Sequence, residues 1–113
     1  MITQRVVLDL VEFSHHTKSF TAHFCRITER DGQIIEVSKP HGIPLEPDVN
    51  AADYYRMLNE ALDRTLMWPA IDADQWAAME AYRAQVHTPA VIEAWREHKR
   101  AVEEQIAARH AAE

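Results

Sequence analysis

The 113-residue sequence predicts an α+β protein in which an N-terminal three-stranded antiparallel β-meander is followed by three α-helices. Two observations predict it. The first third is built from runs rich in β-branched and aromatic side chains separated by polar turn residues. The remainder carries three helix starts with recognisable capping chemistry. One domain is expected, with the meander at 1–38, a proline-rich crossover at 39–48, and helices at 49–67, 73–86 and 89–111.

The strands are RVVLDLVEF (5–13), SFTAHFCRIT (19–28) and QIIEVS (33–38). The polar link Ser14-His15-His16-Thr17-Lys18 is hairpin-like, which orders the strands 1, 2, 3. For the second link, Arg30-Asp31-Gly32, cross-strand pairing separates two registers. A two-residue Asp-Gly turn sets Ile27 against Glu36 and Arg26 against Val37, mixing polar with apolar partners. A three-residue loop with Gly32 left-handed pairs Ile27 with Ile35, Cys25 with Val37 and Arg26 with Glu36. The second register is preferred. It places Cys25, Ile27, Ile35 and Val37 on the core face and an ion pair on the other. Strict alternation along strand 1 puts Val6, Leu8 and Leu10 on one face and Val7, Val11 and Phe13 on the other, so both faces need cover.

The segment KPHGIPLEP (39–47) is an extended crossover with little regular structure. Helix 1 starts at Asn50, with Asp53 three positions on in a capping role, or at Asp48 as the alternative cap. Ala51, Tyr55, Leu58, Leu62 and Leu66 recur on its inner face, and Trp68-Pro69 ends it. Helix 2 starts at Asp72, with Gln75 reaching back as in a capping box and Ile71 and Trp76 as a hydrophobic staple. Its inner side is Trp76, Met79, Tyr82 and Val86. Helix 3 starts at Thr88-Pro89, and its stripe of Ile92, Trp95, Val102 and Ile106 is narrow and interrupted by Lys99. A stripe that thin suits a helix that meets a partner, or one docked on helix 2 with a frayed end.

Composition narrows the function. At 47% hydrophobic with two glycines the chain is that of a folded protein, small enough that self-association or a partner would help it. A lone cysteine forms no internal disulfide, no stretch is long enough to span a membrane, and Asp9 and Glu12 interrupt any signal-peptide core, so a cytoplasmic location is expected. The net charge of −6 lies entirely beyond residue 40, since 1–40 holds five basic and five acidic residues and the rest seven and thirteen. Direct nucleic-acid binding is not expected of such a surface. The acids between Glu46 and Asp74 cap helices and solvate the surface, or form an acidic face for a basic partner.

No motif for catalysis, a cofactor or a metal is present at a specific spacing. His15, His16, His23 and Cys25 are the closest metal-like group, but their spacing matches no common zinc pattern. Ser14, Ser19 and Ser38 lie in no nucleophile elbow, and Gly32 and Gly42 make no phosphate loop. His87 and His98 read as structural, and the aromatic groups as core rather than as a stacking platform for a planar ligand.

The hairpin through Arg30-Asp31-Gly32, the Glu46-Pro47-Asp48 lead into a helix, the Trp68-Pro69-Ala70-Ile71 break and the ending HTPAVIEAWR (87–96) together resemble small proteins encoded among the structural and accessory genes of tailed phages and prophages. That resemblance implies a non-enzymatic virion or tail assembly factor acting through protein contacts or as a homo-oligomer. The alternative is an anti-defence inhibitor, anti-CRISPR-like, that uses its acidic surface on a host complex or sequesters a signalling nucleotide. The candidate interaction residues are Asp53, Glu60, Asp63, Ile92, Trp95, Val102 and Ile106.

Overall fold

The computed structural model describes residues 1–112, which form four strands and three helices. These are β1 (Ile2–Phe13), β2 (Phe20–Arg30), β3 (Gln33–Val37), β4 (Pro44–Leu45), α1 (Ala51–Leu66), α2 (Ala73–Val86) and α3 (Pro89–Ala112). The expected antiparallel meander β1-β2-β3 is present and three helices follow it, an α+β fold.

The crossover is more regular than its three prolines suggest. His41 exchanges both backbone hydrogen bonds with Phe24 (2.8 and 2.9 Å), and β4 pairs antiparallel with β2, Leu45 opposite Phe20. Pro44 sits opposite Thr21 in a two-residue strand, where a missing donor is tolerated. Gly42, between these two anchors, passes so close to β2 that no side chain fits there.

Both faces of the sheet depart from strict alternation, each because of a bulge. In β1 the register slips between Leu8 and Leu10, so Leu8 faces Phe24 while Leu10 faces His23 and Val11 faces Ala22. The extra residue, Asp9, returns Val11 and Phe13 to the side already occupied by Val6 and Leu8. The two-sided strand expected from the sequence is thus mostly one-sided, with Val7 and Leu10 left outside. In the second hairpin, Arg30 pairs directly with Gln33 across a two-residue turn. Asp31 (φ 52°) and Gly32 (φ 83°) are both left-handed, as a type I′ turn requires, so the expected three-residue loop is not formed. A bulge at Ile35 then brings Ile27 opposite Val37, an apolar pairing that neither register considered from sequence contains.

The core lies between one sheet face and the helices. Val6, Phe20, Ala22, Phe24 and Leu45 meet Tyr54, Leu58 and Leu62 of α1, Trp68, Ile71 and Met79. Cys25, Ile27 and Val37 alternate onto the opposite face, so their expected placement on the core face is corrected. The Arg26–Glu36 ion pair does form, with Glu36 opposite Thr28 rather than Arg26.

The helix termini divide by how local their chemistry is. Asn50 Oδ1 accepts from the Asp53 amide (2.8 Å) while its Nδ2 donates to the Asp53 carboxylate (2.9 Å). Asp48 is therefore not the cap. Thr88 Oγ1 accepts from the Val91 amide (3.3 Å). At α2 the expected capping box is absent: Asp72 makes no side-chain cap bond, and Gln75 Oε1 instead accepts from the Leu8 amide on β1 (2.7 Å). On α1 the buried stripe runs through Tyr54, Leu58 and Leu62, with Tyr55 half-buried at the rim. Each tyrosine hydroxyl donates to a loop carbonyl, Tyr54 to Ile43 (2.7 Å) and Tyr55 to Ile71 (2.9 Å). Tyr82, expected on the inner side of α2, is exposed.

The molecule is long. Its Cα radius of gyration is 18.0 Å, against about 13 Å for a compact domain of this length. The difference comes from α3, whose 24 residues extend roughly 36 Å at 1.5 Å per residue. Its first turns dock on the body, where Lys99 Nζ bridges Asp48 (3.1 Å) and Glu46 (3.6 Å) of the crossover. From Ala101 to Ala112 every residue is exposed.

Candidate interaction surfaces

The outer face of the sheet is the first candidate. The register places Arg5, Val7, Leu10 and Glu12 of β1 beside Thr21, His23, Cys25, Ile27 and Glu29 of β2, with Ile34 and Val37 of β3 continuing the row. Among the described residues no helix covers this face, because the α1 and α2 core side chains cluster with residues of the opposite one. The result is a run of large apolar side chains in contact with solvent: Leu10 is 40% exposed, Ile34 56% and Val37 57%. Around it Arg5 pairs with Glu29 (3.0 Å), and His23 Nε2 lies 2.9 Å from a Glu12 carboxylate oxygen. The apolar side chains of this strip are held in contact with water.

Cys25 sits within this strip, yet its own side chain is buried between neighbours. Burial, reinforced by the Asp9 carboxylate, pushes its thiol pKa up, so it is a poor nucleophile. The His15, His16, His23 and Cys25 group does not converge: His23 is turned to Glu12, His15 packs edge-on against Phe13, and no cluster of three or more possible ligands exists among the described residues.

The residues singled out from the sequence fall into three places. Asp53, Glu60 and Asp63 are exposed on the outer side of α1, but Arg56 lies 3.5 Å from Asp53 and 4.0 Å from Glu60. With Glu46 and Asp48 held by Lys99, the acidic face is less negative than its composition implies. Ile92 and Trp95 are half-buried against the body, whereas Val102 and Ile106 stand on the projecting part of α3. The narrow stripe is therefore split between docking and exposure.

A cavity of about 260 Å³ opens where the β1–β2 turn meets the start of α3, lined by His16, Lys18, Val91, Ala94, Trp95 and His98. Of these, Trp95 was a candidate interaction residue from the sequence, while His16 belonged to the metal-like group and His98 read as structural. Close by, His87 is 4% exposed, with Phe13 and Phe20 edge-on to its ring. Its Nε2 donates to the Lys18 carbonyl (2.7 Å), which ties the β1–β2 turn to the α2–α3 junction. Burial holds the His87 pKa below its ordinary value.

Comparison with protein-family models, with curated proteins and with solved structures gives no match for this chain. No helix among the described residues is long and apolar enough to cross a membrane.

Proposed function

We propose that this chain is a non-enzymatic interaction protein, of the kind that serves as a structural or assembly factor in tailed-phage virions or tails, and that it works through the outer face of its sheet. The observation that carries this reading is the exposed strip of Leu10, Ile34 and Val37 on a face that no described helix covers. A three-stranded sheet stabilised from one side leaves apolar surface in water unless a second protein body occupies the other. The exposed turns of α3 add Val102 and Ile106 as a second, smaller contact region.

Native mass spectrometry of the untagged protein tests the reading. A defined oligomer that dissociates in the Ile34→Asp, Val37→Asp double variant, with unchanged circular dichroism, is the expected result. A monomer whose outer face shows fast amide exchange, and which the double variant leaves unchanged in every partner assay, would remove the basis for it.

A further inference from the structure

The cavity at the base of α3 has a chemistry unlike the rest of the surface. The chain carries a net charge of −6, yet among the described residues lining this cavity there is no carboxylate, while one lysine and two histidines are present. The remaining lining, Val91, Ala94 and Trp95, is one apolar helix face. Trp95 and His98, one turn apart on α3, tilt against each other at 34° with ring centroids 5.6 Å apart.

The backbone that delivers Lys18 is pinned. Its φ is 60°, its N–H donates to the Ser14 carbonyl (2.8 Å), and its own carbonyl accepts from buried His87. A non-glycine residue in the left-handed region is uncommon and needs surrounding structure to hold it there. Here the hold comes from the turn on one side and His87 on the other, and it sets the lysine stem at the cavity wall.

We propose that this cavity binds a small anion carrying a planar ring, with the ring against Trp95 and the anionic group on Lys18, His16 and His98 supplying further N–H donors. A volume of about 260 Å³ is just below the ~300–1,000 Å³ usual for ligand pockets, which fits a planar group of one or two fused rings rather than a larger cofactor. Stacking on an indole is tolerant of ring identity, and an ammonium recognises phosphate or carboxylate as a point charge. Two sources share this chemistry, nucleoside monophosphates and aromatic carboxylates. The site is independent of the outer sheet face and stands or falls separately from the proposed assembly role.

The test is a 15N NMR titration of the full chain with AMP, benzoate, adenosine and inorganic phosphate. Saturable shifts confined to Lys18, Val91, Ala94 and the Trp95 indole are expected for AMP or for benzoate by about 10 mM. AMP alone points to the nucleotide source and benzoate alone to the aromatic carboxylate. Lys18→Glu, at a turn position outside the core, is expected to weaken binding roughly tenfold or more. Trp95→Leu, checked for fold by circular dichroism, is expected to cost roughly five- to a hundredfold. No localised saturation with either ring-bearing anion, equal binding of adenosine and AMP with no benzoate binding, or full binding by Lys18→Glu overturns the proposal.

Discussion

Replacing Gly42 by alanine is expected to be among the most damaging small changes available to this protein. A Cβ at position 42 would lie 2.1 Å from the Ala22 carbonyl oxygen, 3.0 Å from its carbon and 3.3 Å from the His23 Cα. All three are backbone atoms of the central strand, so no side chain can swing aside. Relief requires the crossover to lift by roughly an ångström, which strains the adjacent His41–Phe24 bridge and its two hydrogen bonds. Overpacking of a rigid site costs about 1–3 kcal/mol and each weakened hydrogen bond about 1 kcal/mol, giving ~2–5 kcal/mol. Against a total stability of about 5–15 kcal/mol this is a large fraction, and the melting temperature should fall by roughly 8–20 °C. Gly32→Ala is the matched control. That glycine has a left-handed φ of 83° and nothing within 4 Å of a built Cβ, so only conformational strain of about 1–2 kcal/mol applies. Thermal unfolding followed by circular dichroism, with urea titration to confirm an unchanged m-value, measures both. If Gly42→Ala melts within about 2 °C of the parent, or if Gly32→Ala is the worse of the two, the steric argument is refuted.

Tyr54→Phe removes the hydroxyl that donates to the Ile43 carbonyl and should destabilise by about 1–2 kcal/mol in urea unfolding; the same burial pushes the Tyr54 pKa up to about 12, so its phenol should stay un-ionised by ultraviolet absorbance at pH 11 while the native fold persists. His87 has a folded-state pKa below its ordinary 6.5, so the unfolded chain binds its proton more readily. Its stabilising contribution is complete above about pH 7 and declines as pH falls through 6.5, where a charged ring would place a second N–H at the buried, unpartnered Nδ1. His87→Gln should flatten that part of the stability-versus-pH curve. Removing residues 101–112 takes away side chains that are all exposed, and the melting temperature should change by less than about 2 °C; a larger loss would show that this half of α3 is held by contacts.

What was legible in the sequence is what is decided locally. Asn50 and Thr88 were readable as caps because each bonds an amide three residues on, and the Trp68-Pro69 break because a proline past the first turn cannot continue a helix. One failure is local, the two-residue type I′ turn at Asp31-Gly32, which the cross-strand pairing argument outweighed; the others are non-local. Gln75 has the spacing of a capping-box residue, but the strand amide it meets lies far away in the chain. The adjacent tyrosines 54 and 55 both satisfy helical spacing, and the choice between them was made by where the Ile43 and Ile71 carbonyls lie. Asp9 looks like a polar residue in an alternating strand; that it is an extra residue follows only from the demand that Phe13 and Val11 join Phe20 and Ala22. The cavity was invisible for the same reason, since Lys18 and His98 come together only when the turn meets α3. The exposed strip was half readable: the apolar residues of β3 were plain, while the face they occupy depended on a bulge.

The Gln75 contact has a consequence for how copies of this protein can join. By occupying the Leu8 amide it stops the free margin of β1 from templating a neighbour's strand there, and the bulge beside it bends that margin away; the bulge at Ile35 does the same for β3. Ribbons that grow strand by strand without limit are therefore disfavoured, while stacking through the flat of the sheet consumes the sticky surface and then stops. Any self-association should be finite, a capped pair or small ring rather than a fibre.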